Sequence, residues 1–333
     1  MKHANVAVFI PHNGCPQQCS FCNQRRITGR QAQPAPAEVE AVLQKAAQQL
    51  GSRTAQAEVA FFGGSFTAID RGYMTALLET AARACARYGF AGVRCSTRPD
   101  AVDRERLEIL KVHRVTAVEL GAQSMDDGVL RKNRRGHTAR DVENAASLIR
   151  AYGLGLGLQM MTGLLGDTDE KAAETARALL SLRPDTMRIY PTIVLENTQL
   201  CDWYRAGEYA PQTLEAAVSL CARLIPMVEG AGVRLIRVGL HASEELERRV
   251  AGPYHPAFME LCRSRIFLKE IAAQLRARGL KSAAVAVDPR RLSAALGQKR
   301  CNLEALRKMG FEVEIRPDET LSGGTYRIRE TGR

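Results

Sequence analysis

The sequence contains no run of about 20 apolar residues, so no segment is expected to span a membrane. Its most apolar stretch, GLGLGLQMMTGLLG from Gly153, is short and rich in glycine, which is typical of a buried strand followed by a turn. The amino-terminal MKHANVAVFI has too short an apolar segment for a signal peptide. We therefore expect a soluble, cytoplasmic protein.

Aromatic residues are scarce, at 5% of the chain. A surface that stacks many bases is therefore less expected than one that contacts a nucleic-acid backbone through Lys and Arg. The net charge of +11 and the pI of about 9.4 favour an anionic partner, with nucleic acid first. A basic enzyme without such a partner is the alternative.

Most of the nine cysteines follow no pairing pattern. In a long chain without a signal peptide, scattered cysteines are expected to be reduced residues of the core. These six are Cys85, Cys95, Cys201, Cys221, Cys262 and Cys301.

Strand-like apolar runs alternate with helical patterns from residue 5 to about residue 240. This alternation predicts the α/β class, with a parallel sheet coiled into a (βα)6-type partial TIM barrel. After residue 242 the pattern becomes mainly helical and then β-α-α-β, with SGGTYRIRETGR as a further edge strand or a tail. We predict a barrel domain over 1–242 and a helical linker with a small αβ unit over 243–333.

Unusual residues follow the predicted strands at their carboxyl ends, where such sheets bind ligands. A cysteine triplet follows the first strand, and the next five strands end in GGSFT, STRPD, GAQS, TGLLG and YPT. The convergence of six strand ends predicts one site at the mouth of the barrel.

The triplet NGCPQQCSFCNQ holds Cys15, Cys19 and Cys22 with the spacing C-x3-C-x2-C. Thiolates bind zinc and iron–sulfur clusters. Three cysteines on a [4Fe–4S] cluster leave one iron open to a substrate or cofactor, whereas a closed zinc site needs a fourth ligand. The alternative is a zinc site completed by His3 or His12.

The triplet resembles the radical S-adenosylmethionine superfamily, because Phe21 gives it the form C-x3-C-x-Φ-C after the first strand of a parallel barrel. The resemblance implies that S-adenosylmethionine binds the open iron. One electron from the cluster then cleaves the cofactor and yields a 5′-deoxyadenosyl radical. A reducing electron donor, such as flavodoxin or ferredoxin, is implied as well.

Further residues match the superfamily's motifs one by one. The segment FFGGSF resembles the glycine motif that meets the methionyl amine, and Arg135 matches an arginine near the cofactor's carboxylate. Gln159 stands where relatives often carry Asp. The resemblance implies cofactor contacts for Phe21, Gly63, Gly64, Ser65, Thr97, Gln123, Ser124, Arg135 and Gln159.

Several segments in order resemble the radical domain of the Elongator catalytic subunit, which modifies the wobble uridine of tRNA. They are STRPD, ELGAQS, RRGHT and RIYPTIVLENTQL, within residues 5–242. Ser96 stands where that family has Glu. No segment resembles the acetyltransferase domain of that family, so we expect another reaction or an acetyl step supplied by a partner.

Two basic segments, RRITGR and RKNRRGHTAR, lie beside the predicted mouth, and Arg134 in the second is a candidate RNA contact. The tail segment LSAALGQKRCNLEALRKMGFEVEI resembles a KH-type RNA-binding element, whose G-x-x-G loop clamps the backbone. Here the loop is GQKR, with Lys299 and Arg300 as candidate contacts and Arg300 in place of the second glycine. The alternative is a small unit that only supports the barrel.

A radical enzyme that modifies RNA, with tRNA as the expected substrate, is our first hypothesis. Tyr190, at the end of the sixth strand, is the candidate catalytic residue. The rigid AGPYHP segment offers Tyr254 and His255, either as reactive groups or as parts of a fixed turn. The same chemistry on a small metabolite or a protein is the second hypothesis, and a non-catalytic iron–sulfur RNA-binding protein is the third.

Overall fold

Seven parallel strands form one sheet in the computed structural model, which describes residues 4–11, 13–15, 19–23, 32–241 and 244–331. Each strand pairs with the next along the chain. The strands are β1 (Ala4–Phe9), β2 (Ala57–Phe62), β3 (Gly92–Thr97), β4 (Val115–Gln123), β5 (Gly155–Thr162), β6 (Thr186–Pro191) and β7 (Arg234–Val238).

The sheet is strongly curled. The guanidinium of Arg188 on β6 lies 5.4 Å from the ring centroid of Phe62 on β2. Four strand spacings would separate these strands by about 19 Å in a flat sheet. The two edges, β1 and β7, therefore curve toward each other, which confirms the predicted partial barrel.

Helices cover the outside of the sheet, and most of them begin at an Asp or Thr side chain that caps the first turn. Before α5, Thr138 and Asp141 form a reciprocal capping box, in which the Asp141 carboxylate accepts from the Thr138 amide at 2.7 Å. The helices of the barrel are α1 (Pro36–Leu50), α2 (Arg71–Tyr88), α3 (Arg104–Val112), α4 (Asp127–Lys132), α5 (Ala139–Ala151), α6 (Asp169–Ser181), α7 (Gln199–Arg205), α8 (Leu214–Gly230) and α9 (Glu244–Glu247).

The two faces of the sheet differ in chemistry. Strand β3 alternates, with Val93 and Cys95 fully buried in the outer apolar core and with Arg94 pointing to the interior, where it contacts Glu58 and Glu119. Period-two alternation places residues of one kind on one face. The apolar core therefore lies between the sheet and its helices, and the interior of the barrel is polar.

A second, smaller unit follows the barrel. Its sheet has the order β10-β8-β9, with β8 parallel to β9 and antiparallel to β10. The order β8, α11, α12, β9 confirms the predicted β-α-α-β pattern, and β10 is the expected edge strand. The elements are α10 (Phe258–Ala277), β8 (Ser282–Val287), α11 (Leu292–Leu296), α12 (Cys301–Lys308), β9 (Glu312–Pro317) and β10 (Tyr326–Glu330).

Helix α10 joins the two units. Phe258 and Cys262, near its start, pack in the core of the barrel, whereas Ile271 and Leu275, near its end, pack in the second core. The predicted boundary at residue 242 falls outside the described residues and stays a prediction.

Burial of the scattered cysteines agrees with the sequence except at one position. Five of them are buried, but Cys301 is exposed at the first residue of α12. A helix start on the surface puts that side chain in solvent, so the expectation that Cys301 belongs to the core was wrong. No helix among the described residues is long and apolar enough to cross a membrane.

Candidate active site

The cysteine loop follows β1 and is held at its second half by Ser20. The Ser20 hydroxyl donates to Asn133 Oδ1 at 2.9 Å, and its amide donates to the Asn133 carbonyl at 3.1 Å. Its carbonyl accepts from the Leu200 amide at 2.8 Å. Ser20 is fully buried, and Cys19 beside it is 7% exposed, while Cys15 and Cys22 are half-buried. Hydrogen bonds therefore fix the loop to Asn133, just after α4, and to Leu200, at the start of α7.

The glycines after β2 allow the cysteine loop to approach closely. A Cβ atom on Gly64 would lie 2.1 Å from the Asn13 carbonyl oxygen, and one on Gly14 would lie 2.2 Å from the Ser65 carbonyl oxygen. The φ of Gly63 is +112°, which side-chain-bearing residues rarely adopt. The glycine motif thus holds the loop against the end of β2 by direct backbone contact.

Ser65 and Thr97 form a chain of buried hydroxyls. Ser65 Oγ lies 2.9 Å from Thr97 Oγ1, which lies 2.6 Å from Thr67 Oγ1. Ser65 Oγ also accepts from the Arg98 amide at 3.2 Å. All three hydroxyl residues are at most 3% exposed. This chain ties the end of β2 to the end of β3, and the predicted cofactor contacts of Ser65 and Thr97 stay predictions.

Arg135 is the charged group that meets the cysteines. Its Nη1 donates to Cys19 Sγ at 2.9 Å, and its Nη2 donates to the Gly121 carbonyl at 2.6 Å. The guanidinium carbon lies 6.0 Å from the ring centroid of Phe21. Arg135 is 5% exposed. Arg135 therefore places a buried positive charge in direct contact with a cysteine sulfur.

Arg98 adds a second positive charge at the cysteines. Burial and the negative charge of Cys19 raise the pKa of the Cys15 thiol, while Arg98 and Arg135 oppose that shift. Desolvation lowers the pKa of Arg98, but its bonds to Asp100 at 2.6 and 2.9 Å and the charges of Cys19 and Cys15 outweigh it, and the net pKa is raised. Two fixed cations therefore accompany the thiols.

Among the residues that the structure describes, four buried polar atoms at this end of the barrel have no hydrogen-bond partner. They are Arg98 Nη1, Gln123 Oε1, Arg135 Nε and His137 Nδ1. Buried polar atoms nearly always have partners, so a group of four indicates a site for a polar ligand. The set offers two cationic donors for a carboxylate and two acceptors for ammonium or hydroxyl groups.

Gln123 also has a strained backbone. Its φ is +67°, at a break in the β4 register between Leu120 and Gln123. Non-glycine residues in this region are uncommon and are often found at functional sites. The side chain of the neighbouring Ser124 is directed toward α6 instead, where its hydroxyl lies 3.4 Å from Thr175 Oγ1. The cofactor contact predicted for Ser124 stays a prediction.

Gln159 belongs to a charged layer inside the barrel, whose centre is Glu119. Gln159 Nε2 donates to Glu119 Oε2 at 3.0 Å and lies 3.3 Å from Ser96 Oγ. Arg188 contacts both carboxylate oxygens, at 2.8 and 3.0 Å, and Arg94 donates to Oε1 at 2.7 Å. Burial raises the pKa of Glu119, but the two arginines outweigh it, so the net pKa is lowered and the group is ionised.

Tyr190 shares the interior face with this layer. Its hydroxyl accepts from Arg188 Nη1 at 3.5 Å. Burial raises the pKa of Tyr190 although the charge of Arg188 opposes the shift, so the phenol is neutral at pH 7. A half-buried phenol in the barrel interior can donate a proton or a hydrogen bond to a substrate there. Its predicted catalytic role stays a prediction.

Buried and exposed residues alternate along the basic segment 131–140. Asn133, Arg135 and His137 are buried toward the site, whereas Arg134 is exposed and lies 5.8 Å over the ring of Trp203. The other basic segment, 25–30, lies outside the described residues. In the C-terminal unit, Lys299 and Arg300 are exposed, with φ of 52° and 62°. Their turn lies between α11 and α12, as predicted.

The AGPYHP segment is a packed turn. Tyr254 is 8% exposed and lies in a cluster with Ile193, Leu195 and Leu246. His255 Nδ1 accepts from the Ala257 amide at 3.1 Å. This packing favours the fixed-turn interpretation over a reactive role.

No three His, Cys, Asp or Glu side chains within the described ranges lie close enough together to hold a single metal ion. Zinc bound by sulfur at about 2.3 Å would need its ligand atoms within about 4 Å of one another. A [4Fe–4S] cubane binds each thiolate at a different iron, so this finding does not test it. His3 and His12, on which the zinc alternative depended, lie outside the described residues.

Comparison with protein families identifies the class. The profile of the radical SAM superfamily matches residues 9–179, and that of the radical SAM C-terminal domain matches residues 184–267. The chain belongs to the radical S-adenosylmethionine superfamily, a family of enzymes. The resemblance inferred from the cysteine triplet is thereby confirmed.

Individual relatives point to one branch of the family. The chain is 30% identical over 266 residues to a tRNA uridine(34) acetyltransferase of Dehalococcoides mccartyi, covering 70% of this chain and 58% of that protein. It is 28% identical over 200 residues to Elongator complex protein 3 of Danio rerio, covering 54% and 36%. The chain thus spans less than two thirds of these relatives.

One solved structure has the same fold over most of the chain. The archaeal Elp3 of Methanocaldococcus infernus, without its residues 1–46, aligns with a TM-score of 0.64 and 21% identity. The alignment covers 83% of this chain and 63% of that one. At this identity the comparison establishes the fold.

Sequence reasoning missed six residues of the site. Asn133 and His137 were treated only as neighbours of arginines, although alternation with Arg135 would have placed them on the buried side. Single charged residues within apolar strands were the signal for the interior layer. The six are Arg94, Arg98, Glu119, Asn133, His137 and Arg188.

Proposed function

We propose that this chain is a radical S-adenosylmethionine enzyme that modifies RNA, with tRNA as the substrate. Cys15, Cys19 and Cys22 hold a [4Fe–4S] cluster in this proposal. The contact between Arg135 and Cys19 carries it, because that arginine is buried at the loop and its Nε has no hydrogen-bond partner within the described part of the chain. The residues present fit the cofactor, since their unpartnered donors and acceptors match its carboxylate, ammonium and hydroxyl groups.

When bound, the cluster would supply the electron for reductive cleavage of S-adenosylmethionine. Arg135 and Arg98 would bind the carboxylate of the cofactor, and Gln123 Oε1 would accept from one of its polar hydrogens. Gly63 and Gly64 keep the cysteine loop at the end of β2. Phe21, beside Arg135, covers the site on the loop side and excludes water.

The charged layer below the mouth forms the floor of the substrate site. Glu119, Arg94 and Arg188 are buried and bonded to one another, so their positions are fixed before substrate binds. Fixed dipoles and charges orient a polar group without reorganisation. Tyr190 lies next to this floor and is the group we assign to contact the reacting base.

RNA is the substrate class supported by charge and by relatives. The net charge is +11, and Arg134, Lys299 and Arg300 are exposed basic residues near the mouth or on the helix–turn–helix of the second unit. Two relatives carry names that refer to tRNA uridine 34 or to Elongator complex protein 3. The KH-like order of elements around Lys299 suits a backbone clamp.

Mass spectrometry of tRNA nucleosides from cells lacking this protein tests the proposal. Loss of one modified nucleoside, restored by the wild-type gene and not by a Cys19→Ser variant, is the expected result. An unchanged nucleoside profile, together with normal cleavage of S-adenosylmethionine by the purified protein, would overturn RNA as the substrate and favour a small metabolite or a protein.

A further inference from the structure

A cleft with a volume of about 840 Å³ lies between the open edge of the barrel and the C-terminal unit. One wall is β7, the last strand of the seven-stranded sheet, and another is the first half of α10. The third wall is the segment that begins α11. The lining residues that the cofactor site does not use include Arg237, Arg263, Arg290, Arg291, Glu260 and Met259.

Arginine side chains line this cleft on two of its walls. Arg237 lies on β7, and Arg290 and Arg291 lie in the turn just before α11. Arg237 and Arg290 are exposed, and among the described residues neither has a side-chain hydrogen bond or an ion pair.

The remaining charges of the cleft are largely bonded. Arg263 is paired with Glu229, and Glu260 already accepts from the Ser293 hydroxyl. Arginines outnumber carboxylates in the lining, and this surplus fits phosphate, which arginine binds through its planar fork.

One residue that lines the cleft, Arg237, also belongs to the interior face of the sheet. Arg237 pairs in register with Arg188 of β6, so its side chain lies on the interior face of the sheet. The positive charge of Arg237 opposes the rise in the pKa of Tyr190 that burial causes. A break in the register between Met187 and Arg188 lies at this point, and such bulges redirect side chains at sheet edges. Arg237 therefore faces both the interior and the cleft.

Apolar surface runs between the arginines. Ile236, Val238, Leu240 and Met259 line the cleft beside them. A cleft of this size accepts a ligand larger than one phosphate ion. A phosphodiester chain presents phosphates at its edge and apolar sugar faces along its length, and this pattern matches the lining.

We propose that this cleft binds the phosphodiester backbone of the RNA substrate, and that the bound strand crosses the β7 edge toward Tyr190. The inference rests on the proposed RNA substrate and adds the path by which the strand enters. Arg237 contacts the phosphate nearest the barrel, and Arg290 contacts one on the side of the C-terminal unit.

The test compares two double variants of the full chain in tRNA binding at several salt concentrations. R237Q/R290Q removes the two arginines of the cleft that form no ion pair with any described residue. R53Q/R177Q removes two exposed arginines at the amino end of the strands and on α6, and keeps the same net charge. Arg291 is left unchanged because it packs against Gly324.

Two lost phosphate contacts weaken binding on the order of 25-fold at 0.1 M salt and reduce the slope of log K against log salt by about 1.4. We expect this for R237Q/R290Q and not for R53Q/R177Q, with equal melting temperatures for both. Equal binding by the two double variants would overturn the cleft and leave the RNA proposal intact. Absence of tRNA binding by the wild type at low salt would overturn both.

Discussion

Substitution of Gly64 by alanine tests how the glycine motif holds the cysteine loop. The added Cβ would lie 2.1 Å from the Asn13 carbonyl oxygen and 2.9 Å from the Ile10 carbonyl oxygen. Since Cβ atoms essentially never approach within 3.0 Å of such atoms, the Asn13 carbonyl must retreat by about 0.9 Å. Overpacking against rigid backbone costs about 3 kcal/mol, and the shift occurs two residues before Cys15.

The assay is denaturant unfolding of the apo protein together with iron and sulfide content after anaerobic reconstitution. Gly230→Ala is the matched control, because no atom lies within 4 Å of its added Cβ and it ends a helix. We expect Gly64→Ala to lose about 3 kcal/mol and most of its iron, and Gly230→Ala to keep both. Wild-type stability and a full complement of iron in Gly64→Ala would refute the close-packing argument.

Three further predictions concern charged groups. Arg135→Gln should weaken binding of S-adenosylmethionine to the reconstituted protein by about 10- to 100-fold, since hydrogen bonds to charged groups contribute about 1.5–3 kcal/mol; equal affinity in equilibrium dialysis would count against it. Glu119→Gln should cost about 3–5 kcal/mol in denaturant unfolding because two buried arginines lose their carboxylate, whereas Glu105→Gln, at an exposed ion pair with Arg71, should change little; a similar small loss in both would contradict the role of the layer. Burial and the charge of Arg135 lower the pKa of His137 to about 4 from an ordinary 6.5, so as pH falls from 6.5 to 4 the unfolded chain binds the proton first and the free energy of unfolding falls by up to about 1.4 kcal/mol per pH unit. His137→Gln should remove this part of the dependence of the unfolding free energy on pH. The same dependence in the variant and the wild type, measured by denaturant unfolding at several pH values, would contradict the assignment to His137.

Local sequence patterns were enough to predict the barrel and its mouth. Strand-like runs followed by helical periodicity predicted a parallel sheet, and connectivity alone then placed Cys15, Gly64 and Gln123 at the same edge. The helix–turn–helix around Lys299 followed from the same kind of pattern. These features depend on residues near one another in the chain.

Local sequence patterns did not predict the charged layer inside the barrel. They also did not predict the buried polar atoms that lack a hydrogen-bond partner among the described residues. Glu119 meets Arg188 across 69 residues, and Arg135 meets Cys19 across 116. Such contacts depend on how far the sheet curls, which strand patterns do not specify. Cys301 shows a second limit of such patterns. Cysteine is a residue type that favours the core, but in the structure Cys301 lies at an exposed helix start.

The central claim is that three cysteines hold a cluster whose open iron accepts S-adenosylmethionine. Its most direct test is anaerobic reconstitution, reduction with dithionite in the presence of S-adenosylmethionine, and quantification of 5′-deoxyadenosine, with Cys19→Ser as the matched control. We predict about four iron atoms per wild-type chain, formation of 5′-deoxyadenosine by the wild type, and neither in Cys19→Ser. A wild-type protein that carries its full iron and forms no 5′-deoxyadenosine would contradict the account.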